Sequence, residues 1–406
     1  MYKHQFYDMQ IGLLGKANVG KSTFFSAATE DFNAQIGDFP FTTIQPNVGI
    51  AYVSTTCACK HFKINHNNPL CISGIRFIPI KLIDVAGLVP GAHEGKGLGN
   101  QFLDDARQAD MLIHVVDISG STDIQGQHVS VGTHDPREDI KFVEEEFDYW
   151  FKQILEREWQ KLSRDIEKQS TKLADEITTR FSGLGIKDND VHEVLQTLGL
   201  LNKKPTEWDD SDITKFAQML RKKTKPMLIA ANKADLCKDL DITNEIHKNR
   251  EIVNCSAETE LILKKAAKAN LIDYIPGNEK FVINKNVDLS PQQKNALNIV
   301  EDVLSKLNST GIETALNSAA FRVLKLIVVF PVEDETKLSN KDGQVLPDAK
   351  LLPENATAKD LAETIHQDIA KGFLHAIDAK TKQRIGADHQ LKNGDVIKIV
   401  SSLSRR

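Results

Sequence analysis

A glycine-rich loop near the start of the chain constrains the fold more than any other segment. The apolar run from Met9 to Leu14 precedes Gly-Lys-Ala-Asn-Val-Gly-Lys-Ser at 15–22, and a helix is predicted from Thr23. Glycines at both ends of the loop let backbone N–H groups approach a polyphosphate, and the helix adds its positive end. Lys21 can reach the outer phosphates, and the Ser22 hydroxyl can bind Mg²⁺. The residues expected to contact a nucleotide here are Asn18, Val19, Gly20, Lys21, Ser22 and Thr23.

Size and composition exclude several classes of protein. With 406 residues the chain can form two or three domains, and 41% hydrophobic and 26% charged residues are typical of globular proteins. The net charge of −5 implies no global attraction to nucleic acid or to acidic lipid. No segment has the roughly 20 apolar residues that span a bilayer, and the first residues do not resemble a secretory signal. We expect a cytoplasmic protein with no membrane partner. The composition does not indicate an oligomeric state.

Hydrophobic patterns divide the chain into three regions. Strands are predicted at 48–53, 77–83, 111–116 and 227–231, with far more chain between the last two than one crossover helix needs. We therefore predict an α/β domain from 1–120 and 223–320, interrupted by a helical insertion at 121–222. Residues 321–406 predict a small α+β domain, with a strand at 324–330, one helix from the cap Thr357 to Gly372, and a last strand at 396–400.

The insertion carries two stripes on one predicted long helix. Its apolar positions repeat like a short coiled-coil seam: Leu155, Trp159, Leu162, Ile166 and Leu173. Its basic positions lie on the neighbouring face: Arg157, Lys161, Arg164, Lys168 and Lys172. Acidic residues interrupt the basic stripe, which favours a solvated face over a contact with RNA phosphates.

Residues that would sense the terminal phosphate follow in order. Thr43 lies before a predicted strand, and Asp84 and Gly87 lie at the end of another, where open α/β sheets bind ligands. We assign Ser22, Thr43 and Asp84 to Mg²⁺. Lys21, Thr43 and the amide of Gly87 are the expected catalytic groups.

A second motif predicts the choice of base. Asn232-Lys233-Ala234-Asp235 follows the strand at 227–231. The Asp235 carboxylate can accept from the ring N–H and the exocyclic amine of guanine, a pair that adenine lacks. Asn232 is expected at the base edge, the stem of Lys233 over its face, and the backbone at Ser256 and Ala257 near the guanine oxygen.

Together these segments resemble the Obg-like, YchF-related GTP-binding proteins, in particular their archaeal branch. The resemblance is carried by residues 18–23, 39–49, 84–92 and 97–103, and residues 357–362 and 393–397 look like a TGS domain. It implies a P-loop GTPase sheet with a β-grasp-like TGS domain, GTP or GDP with Mg²⁺, and association with ribosomes or ribosomal RNA.

The resemblance also bears on mechanism. Leu88 stands where related enzymes place a water-orienting glutamine, which implies slow intrinsic hydrolysis. Asn18 stands where some related GTPases bind K⁺, and a loop-bracing hydrogen bond is the open alternative. Two other functions stay open, an ATPase of the same family and a non-enzymatic RNA-binding adaptor with a structural nucleotide.

A cysteine cluster lies outside these motifs. Cys57 and Cys59 are followed by His61, with Cys71 further on. Thiolates and an imidazole can bind Zn²⁺, but two cysteines separated by one residue are closer than in a usual zinc knuckle. The pattern therefore favours free thiols.

Overall fold

The computed structural model describes residues 9–30, 48–85, 105–169, 171–247, 250–285 and 287–403. Its largest feature is a seven-stranded mixed sheet with strand order β2-β4-β1-β5-β6-β7, in which β3 pairs with β4. The strands are β1 (Gln10–Leu14), β2 (Val48–Thr56), β3 (Cys71–Ile72), β4 (Ile75–Asp84), β5 (Met111–Asp117), β6 (Met227–Asn232) and β7 (Ile252–Asn254). Neighbouring strands are parallel in the series β4-β1-β5-β6-β7, whereas β2 and β3 run antiparallel to β4. The predicted α/β class is confirmed.

Sequence explains why these strands are central. Every residue of β5 is buried, as are four of the five in β1, and continuous apolar runs are typical of parallel strands covered on both faces. Helices α1 (Lys21–Thr29) and α2 (Ala58–Phe62) follow β1 and β2. Helix α1 begins two residues before the predicted start, because Gly20 in the left-handed conformation (φ 90°) lets the helix begin directly after it.

In the described part of the predicted helical insertion, four α-helices form. They are α3 (Pro136–Gln169), α4 (Leu173–Arg180), α5 (Asp188–Leu198) and α6 (Asp210–Thr224). Leu155, Trp159, Leu162 and Ile166 of α3 are buried, and the basic positions from 157 to 168 are exposed, as expected of a solvated face. The predicted single helix is wrong at its end, since Lys172 and Leu173 lie beyond α3. Leu173 begins α4 and packs on the same apolar cluster from a second helix.

The chain then returns to the large sheet. Among the described residues, four α-helices follow: α7 (Asp241–His247), α8 (Ala257–Lys268), α9 (Pro291–Leu307) and α10 (Ile312–Asn317). A short hairpin, β8 (Ile272–Asp273) with β9 (Val282–Ile283), lies between α8 and α9. Helix α9 begins with a capping box in which Ser290 accepts from the N–H of Gln293.

The C-terminal region has its own five-stranded sheet, ordered β11-β10-β14-β12-β13. Its elements are β10 (Leu326–Val332), β11 (Lys350–Pro353), α11 (Ala358–Ile365), α12 (Gln367–Lys371), β12 (Phe373–Asp378), β13 (Arg384–Ile385) and β14 (Asp395–Ser401). Thr357 caps α11 as predicted. The single helix predicted as far as Gly372 is wrong, because His366 is extended and caps α12 through its ring nitrogen.

The buried core crosses the predicted domain boundary at residue 321. Val328 and Phe330 of β10 belong to the same apolar cluster as Ile11 of β1 and Ile78 of β4. The domain limits therefore stay a prediction. In the part of the chain described above, no helix has both the length and the apolarity needed to cross a membrane.

Candidate nucleotide site

The carboxyl ends of neighbouring strands bring the predicted motifs to one edge of the sheet. Leu13 of β1 is paired with Asp84 of β4, and Asp117 of β5 is paired with Asn232 of β6. The glycine-rich loop follows β1, so it lies between these two pairs. Open α/β sheets bind ligands at this edge.

The glycine-rich loop has the geometry that its sequence predicts. Gly20 is left-handed, and a Cβ there would lie 2.3 Å from Nδ2 of Asn232. A Cβ on Gly15 would lie 2.6 Å from the carbonyl oxygen of Val115. Only glycine therefore fits at either position. The N–H of Phe24 donates to the carbonyl of Gly20 at 2.8 Å and closes the first turn of α1.

The cation and the carboxylate expected at the phosphates meet directly. The ammonium of Lys21 forms an ion pair with the carboxylate of Asp84, and 13% and 25% of the two side chains are exposed. Ser22, the residue after Lys21, is exposed on the first turn of α1. Ser22 and Asp84 are oxygen donors of the kind that Mg²⁺ prefers. Thr43 and Gly87, the other predicted residues here, lie outside the described residues.

Asn232 links the glycine-rich loop to the segment at 256–257. Its Nδ2 donates to the carbonyl of Val19 at 2.9 Å, and its Oδ1 accepts from the N–H of Ala257 at 3.0 Å. The side chain is buried, so both of its polar atoms are used in bracing the site. The N–H of Ser256 donates to the carbonyl of Thr310 at 2.8 Å. Contacts of these groups with a base stay a prediction.

Lys233 and Asp235 complete the second motif. Lys233 has a φ of 61°, and its Nζ donates to the carbonyl of Asn18 at 3.0 Å and to Oδ2 of Asp117 at 2.8 Å. Asp235 lies on a short turn whose carbonyls at 234 and 235 accept from Nζ of Lys306 at 3.3 and 3.4 Å. The motif is thus fixed from both sides, with the Asp235 side chain half-buried.

Asp117 is a site residue that the sequence analysis missed. It is fully buried and accepts from Ser119, Ser121, Thr122 and Lys233. Burial raises the pKa of Asp117, but the hydrogen bonds from Lys233 and the serines outweigh it, so the pKa lies below its usual value. Its place at the end of a strand, which identified Asp84, was the available signal.

The loop after β5 and the first turn of α3 contact the glycine-rich loop and brace it. Nζ of Lys16 contacts Oδ2 of Asp139 at 2.7 Å and the carbonyl of Thr122 at 2.9 Å, and Nδ2 of Asn18 donates to the carbonyl of Gly126 at 2.8 Å. The bracing alternative for Asn18 is therefore present in the structure, and a role in K⁺ binding stays a prediction. Nothing local in the sequence indicates the contact of Lys16, because its partner is 123 positions away.

Comparison with known proteins agrees with this geometry. Three family models match: 50S ribosome-binding GTPase over residues 10–147, the G4 motif-containing domain of Obg-like GTPase YGR210-like over 230–334, and the TGS domain over 341–401. A crystal structure of a GTP binding protein from Pyrococcus horikoshii OT3 is similar with a TM-score of 0.78 and 40% identity, covering 97% of this chain and 100% of that one.

Two relatives at the sequence level match nearly the whole chain. A ribosome-binding ATPase YchF of Buchnera aphidicola is 28% identical over 410 residues, covering 95% of this chain and 97% of the relative. An uncharacterized GTP-binding protein of Methanocaldococcus jannaschii is 46% identical over 397 residues, covering 97% and 99%. The resemblance seen in the motifs is confirmed, and the chain belongs to the YchF/Obg-like family of GTP-binding proteins.

Proposed function

We propose that this protein is a molecular switch that binds and slowly hydrolyses GTP with Mg²⁺ and associates with ribosomes or ribosomal RNA in the cytoplasm. The observation that carries the proposal is the bracing by Asn232, which holds the phosphate-binding loop and the segment at 256–257 in one unit. A nucleotide bound between them is contacted at its phosphate end by the loop and at its base end by the segment at 256–257, and the two are held in one frame.

Each group then has a role that suits its position. The loop amides and Lys21 bind the phosphates, and Ser22 and Asp84 serve Mg²⁺ together with Thr43. Asp235 accepts from guanine, and the stem of Lys233 covers the ring. Loss of the terminal phosphate releases the segments at Thr43 and Gly87, and this release is the switch.

Hydrolysis without a partner is expected to be slow. The side chain of Leu88 has no polar atom to orient water, and intrinsic rates of switch GTPases can be as slow as about 10⁻⁴ s⁻¹. Another element must position the water, with Lys21 and the amide of Gly87 stabilising the charge that develops.

Two features support a ribosomal partner. The names of the Buchnera relative and of one matching family model both include ribosome binding. The exposed basic face of α3 and the TGS domain are the surfaces that we propose for this contact, because positive side chains near a phosphate backbone release counterions. Acidic residues interrupt the basic face and favour a solvated surface there, so the proposed contact depends mainly on the C-terminal domain.

Calorimetric titration of GTP and ATP tests the choice of base. An ATPase is the second candidate because the Buchnera relative is named as one. We expect GTP to bind more tightly. Asp235→Asn should weaken GTP binding by at least about tenfold, because a hydrogen bond to a charged group contributes roughly 1.5–3 kcal/mol, and should leave ATP binding unchanged.

The matched control is Asp239→Asn, an exposed carboxylate four positions further along the same segment. It should leave both affinities unchanged. Equal affinity of the unaltered protein for GTP and ATP would overturn the guanine assignment.

A further inference from the structure

Four metal-binding side chains come together at the end of β2 that is remote from the nucleotide site. They are Cys57 and Cys59 around the start of α2, His66 in the next loop and Cys71 in β3, and their ligand atoms all lie within 4.8 Å of one another. Sγ of Cys57 lies 3.6 Å from Nε2 of His66, and Sγ of Cys59 lies 3.9 Å from Sγ of Cys71. All the cysteines are free thiols.

These separations match a tetrahedral zinc site. With Zn–S bonds of about 2.3 Å and Zn–N bonds of about 2.0 Å, tetrahedral angles place two sulfurs about 3.8 Å apart and a sulfur and a nitrogen about 3.5 Å apart. Three thiolates and one imidazole form a ligand set that structural zinc sites use. The Cys57–His66 and Cys59–Cys71 pairs therefore already have the spacing that the ion requires.

The histidine of the cluster differs from the one that the sequence suggested. His61 is exposed and its ring packs edge-on against Phe62 at 4.9 Å, so it lies outside the cluster. His66 enters because the loop folds back: the N–H of Cys71 donates to the carbonyl of Asn68 at 2.9 Å. The N–H of Asn68 lies 3.4 Å from Nδ1 of His66, which leaves Nε2 facing the thiols.

A buried cation balances the charge of such a site. Zn²⁺ with three thiolates and a neutral imidazole carries a net charge of −1. Arg76 is paired with Cys71 across the β3–β4 hairpin and is 1% exposed. Its Nη1 is buried and has no hydrogen-bond partner among the described residues. A buried charge is costly unless an opposite charge is close, and a negatively charged metal site provides one.

Arg76 and Asn68 connect the cluster to the C-terminal region. Nη2 of Arg76 donates to the carbonyls of Leu346 and Pro347, both at 2.9 Å. Nδ2 of Asn68 donates to the same two carbonyls at 3.1 and 3.0 Å. Any ligand that fixes the loop between Cys57 and Cys71 therefore also fixes this contact.

We propose that Cys57, Cys59, His66 and Cys71 bind a structural Zn²⁺ ion that holds the loop at 57–74 against the carbonyls of Leu346 and Pro347. The nine residues of β2 separate the site from the nucleotide edge by about 30 Å. The ion is therefore a structural connection between the GTPase sheet and the C-terminal domain, and takes no part in hydrolysis.

Metal content and cobalt substitution of the full-length protein test the site. Purified protein should carry about one Zn²⁺ per chain, and Co²⁺ in its place should give sulfur-to-cobalt charge-transfer bands and the visible bands of tetrahedral cobalt. Loss of an outer-shell partner costs about 10–100-fold in metal affinity. Cys59→Ser and His66→Ala remove ligands, so each should weaken Co²⁺ binding by at least about 100-fold.

Two matched variants control for local chemistry. His61→Ala removes the neighbouring exposed imidazole, and Cys237→Ser removes a thiol outside the cluster. Both should bind Co²⁺ like the unaltered protein. Equal binding by Cys59→Ser and Cys237→Ser overturns the assignment.

The unaltered protein gives a result even if a ligand variant does not fold. Failure to bind Zn²⁺ and absence of the cobalt charge-transfer bands would both contradict the site. With the metal chelated, amide hydrogen exchange should accelerate at 57–74 and around Leu346, while the affinity for GTP stays the same. An unchanged exchange rate at both segments contradicts the proposed connection.

Discussion

At the scale of single residues, Asn232 is the group on which the nucleotide site most depends. Asn232→Ala leaves the carbonyl of Val19 and the N–H of Ala257 without their partner, at about 1–3 kcal/mol for each buried group. We expect a lower melting temperature and weaker GTP binding, measured by thermal unfolding and calorimetry. Asn189→Ala, an exposed asparagine of the insertion, should change neither. A variant at 232 with unaltered GTP affinity would show that the bracing is dispensable.

His114 predicts a pH dependence of stability. Burial in β5 lowers its pKa from 6.5 to about 4. Between these values the unfolded chain binds a proton at this histidine that the folded chain does not. The contribution of the neutral, buried His114 to the free energy of unfolding is therefore complete above pH 6.5 and is lost as the pH falls towards 4. The loss amounts to about 3 kcal/mol. His114→Phe should flatten the free energy of unfolding across this range in urea titrations, whereas exposed His192→Gln should not.

At the scale of elements, the helical insertion depends on an aromatic cluster. The ring of Trp159 on α3 lies 4.8 Å from that of Trp208, which lies 5.1 Å from Phe216 on α6. Trp159→Ala should cost about 3–5 kcal/mol in the free energy of unfolding, measured with denaturant, while GTP affinity is retained. Leu201→Ala, at an exposed apolar residue of the insertion, should cost less than about 0.5 kcal/mol. Equal losses for the two variants would contradict the cluster's role.

At the same scale, sequence patterns predicted the central strands but not the ends of the helices. Apolar runs identified β1, β5 and β6 because strands buried on both faces have few polar positions. Helix ends were less accessible: Leu173 keeps the heptad spacing although it begins α4, and Ile369 keeps the spacing of four across the break at His366. A periodic pattern cannot detect a break when the residues on both sides keep the spacing, and Leu173 also packs on the same apolar cluster as α3.

At the scale of the whole molecule, local motifs were predictable and long-range partners were not. The loop at 15–22 and the motif at 232–235 are contiguous, so their residue types identify them. Asp117 with Lys233, and Lys16 with Asp139, are 116 and 123 positions apart. His66 joins the cysteines only through the fold of its loop, and spacing alone favoured His61.

Association with the ribosome should depend on the nucleotide if the whole molecule is a switch. We expect ribosomes to retain the protein differently with a non-hydrolysable GTP analogue and with GDP, as measured by co-sedimentation. Lys21→Ala should abolish the difference, because it removes the cation at the phosphates. Retention that is equal with both nucleotides would favour the non-enzymatic adaptor.

The most direct test of the account is the binding of a fluorescent GTP analogue in the presence of Mg²⁺. The structure predicts a saturable change in fluorescence with the unaltered protein, and a loss of affinity of at least about tenfold for Lys21→Ala, since a charge-assisted contact with phosphate is removed. Lys60→Ala, an exposed lysine of α2, should bind like the unaltered protein. Fluorescence that stays flat with folded protein, or equal affinity of the unaltered and Lys21→Ala proteins, would contradict the nucleotide site.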